Sequence, residues 1–382
     1  GYILGRFGYE KGFALFREAG FDAVDVSLGD MTSMESALNQ PGYLQKAQEI
    51  YKENGDSLGI AFVTSAMAVV CDDQGNFEEA EKNLLKTLEI RERMLGENSL
   101  DVATTCANLA TFMQELGRYD EAMKYSHRAL GIRTKVLGKH HPDVAMSYLD
   151  LGSLEGELGN NNENLRYYEE ALRILKDFHG EVHPSIAIAY NRIGYYYNNV
   201  MNDSQKALHY YIESMEMLKQ VYGEEHSHVA KSIHNLASAY YSIADYDKAM
   251  ELYNQALELR IRLFGEDHVS LADTYNNIGH LYSMLGNYKD ALAYSQKVLD
   301  IYTEFYGEQN HRVALAYNNI GAIYENLDED QTALDYLGKS CEIYQAYGES
   351  YPGLADPYDL IGTIYLKHSM YDQAENFLKE GM

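Results

Sequence analysis

Apolar residues recur along most of the chain at spacings of three and four, as in helices that bury one face. Tyr275, Ile278 and Tyr282 form one such stripe, and an equivalent stripe starts at Tyr317. Segments of about 14 residues alternate with segments of about 18 residues, and short polar turns separate them. The pattern therefore predicts successive helix pairs, in which the second helix is the longer one.

Small residues and glycines repeat in a fixed register along these pairs. The glycines that close the longer segments are Gly96, Gly138, Gly180, Gly223, Gly265, Gly307 and Gly348. The small residues inside the shorter segments are Ala68, Ala110, Gly152, Gly194, Ala237, Gly279, Gly321 and Gly362. The closing glycines are 42 residues apart, except for 43 between Gly180 and Gly223 and 41 before Gly348. This period predicts a repeat protein whose units stack, since one helix pair cannot bury its apolar faces alone.

The segments "TYNNIGHLYSMLGNYKDALAYSQKVLDIY" and "ALGIRTKVLGKHHPDVA" resemble tetratricopeptide repeats. The 42-residue period resembles the longer variety found in kinesin light chains and in bacterial signalling and scaffold proteins. The resemblance implies an all-α fold, a right-handed superhelical solenoid of helix-turn-helix units, with eight units over residues 57–382. Three departures affect local packing: Asn164 replaces an alanine, one residue is inserted near Val200 to Ser204, and Glu155 stands where most units have tyrosine.

Both ends of the sequence depart from the repeat. Residues 35–56 are predicted to form a partial repeat helix, and the last unit stops at Met382, so we expect the parent protein to continue. Residues 1–34 do not follow the repeat and predict an amphipathic helix and a short strand, Ala23 to Leu28. This segment resembles the opening of a sugar-phosphate isomerase or epimerase barrel. It is interpreted either as a fusion remnant or as an N-terminal cap.

Charge and cysteine usage narrow the class of partner. The chain carries 31 basic against 58 acidic residues, a formal net charge of -27, which disfavours nucleic acid and anionic lipid as partners. The acidity indicates either a solvated outer surface or attraction of basic partners. Cys71, Cys106 and Cys341 lie far apart, so we expect no disulfide framework and a cytoplasmic location. No apolar run reaches membrane-spanning length, so no membrane insertion is expected. The oligomeric state stays open.

The resemblance implies that the first helix of each unit lines the concave face of the solenoid. Positions six, three and two before the small residue, and one and five after it, share one helical stripe. The candidate groove residues on this stripe are Asn108, Asn191, Arg192, Lys231, His234, Asn235, Asn276, Asn277, His280, Asn318 and Asn319. Asparagine is a poor helix former, so its recurrence calls for a reason. Its amides either hold the main chain of a bound peptide, as the resemblance implies for the position two before, or bond neighbouring helices.

Arg192, Lys231 and His234 occupy groove positions in adjacent units and are expected to cluster. They would receive a carboxylate of the ligand, or alternatively pair with a nearby glutamate. The complete basic clamp of chaperone-adaptor relatives is not expected, because Asp273 and Asp356 stand at the corresponding outer positions.

The pattern offers no set of residues for catalysis. Histidines recur once per unit in the same loop, so we expect them to cap helices and not to converge on a metal: His141, His183, His226 and His268. No enzyme activity and no cofactor are therefore predicted. The leading hypothesis is a scaffold that binds a peptide or protein segment in the concave groove. The alternatives are a ligand-responsive regulatory domain that controls an output domain and, from residues 1–34 alone, an isomerase.

Overall fold

A computed structural model describes residues 42–348 and 351–381. The predictions for residues 1–34 lie outside these described residues. The chain divides into two compact units, Gly1–Leu154 and Glu155–Met382, and each is described by itself.

The first unit is built from helices that follow one another in antiparallel pairs. They are α1 (Tyr43–Glu53), α2 (Ser57–Asp73), α3 (Phe77–Leu95), α4 (Leu100–Glu115), α5 (Tyr119–Leu137) and α6 (Pro142–Glu157), whose last residues belong to the second unit. Their core is formed by buried side chains of α4 such as Val102, Cys106 and Leu109, packed on Leu84 and Ile132. The pairs α2/α3 and α4/α5 have the short-then-long order that the periodicity predicts.

The second unit continues the same alternation over a longer stretch. Its helices are α7 (Asn161–His179), α8 (Pro184–Tyr195), α9 (Ser204–Tyr222), α10 (Ser227–Ser242), α11 (Tyr246–Phe264), α12 (Ala272–Met284), α13 (Tyr288–Tyr306), α14 (His311–Asn326), α15 (Asp330–Gln345), α16 (Ala355–Lys367) and α17 (Tyr371–Glu380). Short 3₁₀ turns precede α12 and α16, and a π-helical turn, Tyr196–Val200, extends α8. The described residues of both units thus confirm the predicted all-α solenoid fold.

Small residues allow the two helices of a pair to approach closely. A Cβ atom added at Gly321 of α14 would lie 2.8 Å from Cγ of Leu337 on α15. At Asn164, where other units have alanine, the compensation comes from Gly156: a Cβ there would lie 2.3 Å from the Asn164 amide nitrogen. The larger side chain in one helix is therefore accommodated by a glycine in the helix that faces it.

The turn inside each pair needs one residue in the left-handed conformation. Gly117 and Gly286 supply it with φ of 71° and 74°. Four units use residues other than glycine at this place, with φ between 52° and 59°: Asn202, Ala244, Asp328 and Ser369. The geometry of the turn is therefore kept even where the glycine signal is missing from the sequence.

The recurring loop histidines cap the helices that follow them. The Nδ1 atom of His141 accepts the backbone N–H of Asp143 at 3.1 Å, and His183 accepts that of Ser185 at 3.2 Å. His226 and His268 make the same contact two residues onward. This confirms the prediction that these rings satisfy free N–H groups at helix starts. None of the described helices combines the length and apolar character needed to cross a membrane.

Candidate functional site

A cavity of about 650 Å³ in the second unit brings together three successive first helices, α8, α10 and α12. These helices contribute residues of the predicted groove stripe: Ile188, Asn191, Arg192, Tyr195, Asn199, Lys231, Asn235, Ser238, Ser242, Asn277 and His280. The second helices α9 and α11 add Tyr211, Leu218, Tyr222 and Tyr253. The remaining lining residues are Pro184, Asn198, His228 and Tyr241. The helical spacing of the stripe explains this grouping, because these positions project from the same side of each first helix.

The charged side chains of the cavity are all basic. Arg192 and Lys231 are exposed, and neither forms an ion pair within the described part of the chain. No aspartate or glutamate occurs among the described lining residues, although the whole chain has 58 acidic side chains. The cavity is therefore a local site of positive charge in a strongly acidic protein.

The two histidines of the cavity add no charge at neutral pH. Burial lowers the pKa of His280. Burial and the nearby Lys231 charge together lower the pKa of His228. Since both rings are neutral above their ordinary pKa of about 6.5, Arg192 and Lys231 carry the positive charge of this surface.

Amide groups along the stripe connect successive repeats from α8 to α14. Asn235 of α10 donates from Nδ2 to Oδ1 of Asn191 on α8 at 3.3 Å. Asn319 of α14 donates in the same way to Oδ1 of Asn276 on α12 at 2.8 Å. Both bonds join the same two positions of neighbouring repeats. One partner lies three residues before the small residue of its repeat, and the other lies two residues before the small residue of the next repeat. The asparagines at these two positions thus form one ladder of hydrogen bonds between successive repeats.

His234 takes the place of asparagine in this ladder. Its Nε2 lies 3.1 Å from Nδ2 of Asn277, and its Nδ1 lies 3.3 Å from Oγ1 of Thr274. Burial lowers the pKa of His234 to about 3, with further contributions from the charges of Arg260 and Lys231. The ring is therefore neutral at physiological pH, as acceptance of the Asn277 amide requires.

The structure places the sequence-predicted groove residues in two groups. Those that line the cavity are Asn191, Arg192, Lys231, Asn235, Asn277 and His280. Those that are not among its described lining residues are Asn108, His234, Asn276, Asn318 and Asn319. Asn108 lies buried in the first unit, and Asn318 is buried in α14 with no partner for its Oδ1 among the described residues. The binding role of each of these residues stays a prediction.

Several lining residues did not enter the sequence prediction. Tyr195 and Ser238 follow the small residue by one position, and Asn199 and Ser242 follow it by five, so the stripe itself contained the signal. The tyrosines of α9 and α11 had no such signal. Their positions on the second helices resemble ordinary core positions in the sequence, and only packing brings them to the cavity edge.

Family profiles described as tetratricopeptide repeat match residues 100–177, 185–262, 245–304, 270–346 and 312–382, and a second profile of the same description matches residues 65–101. No curated protein sequence matches this chain.

Solved structures share the architecture at low sequence identity. A Rap protein complexed with Competence and Sporulation Factor is 15% identical, has a TM-score of 0.60 and aligns over 98% of this chain and 97% of its own. The apo form of RapI is also 15% identical, with a TM-score of 0.50 over 73% of this chain and 96% of its own. Kinesin-light-chain TPR-like repeats from Podosopora anserina are 18% identical, with a TM-score of 0.45 over 55% and 98%. Because the family profiles cover more than half of the sequence in the register of the observed helix pairs, the chain belongs to the tetratricopeptide-repeat family.

Proposed function

We propose that this chain binds a peptide segment bearing an acidic group in the cavity between α8, α10 and α12. Tetratricopeptide repeats form protein-interaction scaffolds, and the proposal names the surface and the chemistry of the ligand. The observation that carries it is the pair of exposed cations, Arg192 and Lys231, in a cavity without a carboxylate among its described lining residues.

Electrostatics favour an anionic group at this place. Arg192 and Lys231 each retain their full hydrogen-bonding capacity, since neither has a carboxylate partner in the described structure. A carboxylate bound there would form charge-assisted hydrogen bonds, which are roughly twice as strong as neutral ones. The net charge of -27 would repel such a ligand elsewhere on the chain, so binding is expected to concentrate at this cavity.

The rest of the cavity suits a peptide better than a small inorganic anion. Ile188 and Tyr222 are 38% and 39% exposed and offer apolar surface in the cavity. Asn235, Ser238 and Ser242 offer amide and hydroxyl groups farther along α10. Apolar contact together with paired donors and acceptors matches a side chain and a main chain. The Rap protein structure, which contains Competence and Sporulation Factor, supports the proposal that this fold can hold such a ligand.

Selection from a random library of short peptides, followed by fluorescence anisotropy, tests this function. Arg192→Ala and Lys231→Ala are each expected to weaken binding of the selected acidic peptide by about tenfold or more, because each removes a charge-assisted contact. Replacing the carboxylates of the peptide by amides should reduce affinity for the wild type and have little further effect on the double variant Arg192→Ala/Lys231→Ala.

Lys248→Ala is the matched control. Lys248 lies on α11, next along the chain to the helix that carries Lys231, and its Nζ is 2.8 Å from a carboxylate oxygen of Glu251. It is not among the described lining residues of the cavity. This variant is expected to bind as the wild type does. The proposal is wrong if no peptide is selected, or if both cavity variants keep the wild-type affinity.

A further inference from the structure

The repeat that contains α8 is one residue longer than most of its neighbours. Its closing glycines, Gly180 and Gly223, are 43 residues apart, whereas the units on both sides have spacings of 42. The structure accommodates the extra residue as the π-helical turn Tyr196–Val200. Met201 N–H accordingly bonds the carbonyl of Tyr196, five residues earlier, at 3.1 Å. Single π-turns inside helices occur frequently at functional sites.

The π-turn contributes directly to the cavity. Asn198 and Asn199 both line it, and Tyr195, which is 56% exposed, immediately precedes the turn. Asn199 donates from Nδ2 to the carbonyl of Tyr195 at 3.2 Å, which supports the backbone where the regular helix ends. The extra residue therefore lies at the ligand site and not on a remote surface.

Asn198 is the residue of the turn with an unexplained polar group. Its side chain is 9% exposed, and its Nδ2 donates to Oγ of Ser242 at 2.9 Å. A second, longer contact at 3.3 Å joins Nδ2 to Oδ1 of Asn199. The Oδ1 atom of Asn198 has no hydrogen-bond partner in the described structure. A buried carbonyl oxygen without a donor destabilises the protein, so its presence beside a cavity calls for a reason.

We propose that the π-turn is a ligand subsite in which Oδ1 of Asn198 accepts a hydrogen bond from a backbone N–H of the bound peptide. This inference rests on the proposed function, because it adds one contact to the peptide that Arg192 and Lys231 are proposed to bind. Asn198 lines the cavity, and its Nδ2 is already bonded to Ser242 and Asn199, which leaves Oδ1 as the atom of this amide that a ligand donor can pair with. The inserted residue thus makes this repeat different from its neighbours in what it binds.

The experiment combines protein variants with an N-methyl scan of the peptide selected against the wild type. Methylation of each backbone nitrogen in turn removes one donor, and affinity is measured by anisotropy. One position is expected to lose about tenfold in affinity on the wild type, and that loss should disappear on Asn198→Ala. Deletion of Val200, which restores the 42-residue spacing, is expected to abolish the same position-specific loss.

Asn318→Ala is the matched control. Asn318 is 6% exposed and also has an Oδ1 without a partner among the described residues, but it is not a described lining residue of the cavity. The methylation loss should persist unchanged on this variant. Melting curves establish that each variant is folded, and if deletion of Val200 unfolds the protein, Asn198→Ala decides the outcome alone.

The inference is overturned if the methylation loss is the same on Asn198→Ala as on the wild type, or if no methylated position weakens binding. These results leave the proposed function intact, because they are obtained with a peptide that binds and depends on Arg192 and Lys231. Failure to select any peptide would instead contradict the proposed function.

Discussion

At the scale of single residues, the turn inside the α10/α11 pair shows a conformation that its sequence does not favour. Ala244 has φ of 59°, in the left-handed region where a Cβ atom is disfavoured. For residues other than glycine this conformation costs roughly 1–2 kcal/mol. The helices α10 and α11 hold Ala244 in this conformation, because the way in which they pack against each other depends on the direction of the turn between them.

Ala244→Gly is therefore expected to stabilise the protein by about 1 kcal/mol, since glycine adopts this φ without the steric cost. Chemical denaturation monitored by circular dichroism measures the change. Ala346→Gly is the control: Ala346 is an exposed residue with φ of -64° at the end of α15, where glycine should be neutral or slightly destabilising. Equal effects of the two substitutions would contradict the assignment of strain to Ala244.

At the scale of helices, the asparagine ladder joins neighbouring repeats, and part of it also lines the cavity. Asn235 bonds Asn191 across units and also lines the cavity. The pair Asn319 and Asn276 makes the same kind of bond but is not among the described lining residues. The ladder is therefore structural along α8 to α14, and only part of it is available to a ligand.

The double variant Asn235→Ala/Asn277→Ala tests this division. We expect it to lower the free energy of unfolding by about 1–3 kcal/mol, because two inter-unit hydrogen bonds are lost, and also to weaken binding of the selected peptide. Asn276→Ala/Asn319→Ala removes both partners of one inter-repeat bond, so it should lower the free energy of unfolding less and leave the affinity unchanged. If both double variants bind the peptide equally well, the ladder has no part in ligand binding.

At the scale of the whole molecule, the stability of the fold should depend on pH through two half-buried histidines that are neutral in the folded protein. Burial and the charges of Arg260 and Lys231 lower the pKa of His234 to about 3, and burial and Arg312 lower that of His311 to about 4. In an unfolded chain both would titrate near 6.5. Between the folded and the unfolded pKa values, the unfolded chain binds more protons than the folded protein. The stability that these two rings contribute is therefore complete above about pH 6.5 and decreases as the pH falls below it.

His234→Asn should therefore reduce the loss of stability between pH 7 and pH 5 by about 2 kcal/mol, because asparagine does not titrate. Denaturation midpoints measured at several pH values give the slope, and the comparison of slopes removes any constant effect of the substitution. An unchanged slope for His234→Asn would show that this ring is not held neutral.

The sequence by itself determined the helix pairs, the repeat period and the positions that share one side of each first helix. These follow from spacing along one chain: a residue's angular position on a helix depends only on its number relative to the small residue. The stripe therefore included Arg192, Lys231 and Asn235 before any contact was known. The loop histidines were predictable for the same reason, because each lies at a fixed distance from the helix that it caps.

Only the tertiary structure decided which members of the stripe meet. Asn276 and Asn277 are adjacent in sequence, yet one bonds Asn319 and the other contacts His234 and lines the cavity. The cavity depends on how neighbouring helices pack, and the π-turn at Asn198 depends on how the fold absorbs one extra residue. Local spacing alone does not predict the cavity or the π-turn. Both involve contacts between residues that are far apart in the sequence, such as the bond between Asn198 and Ser242.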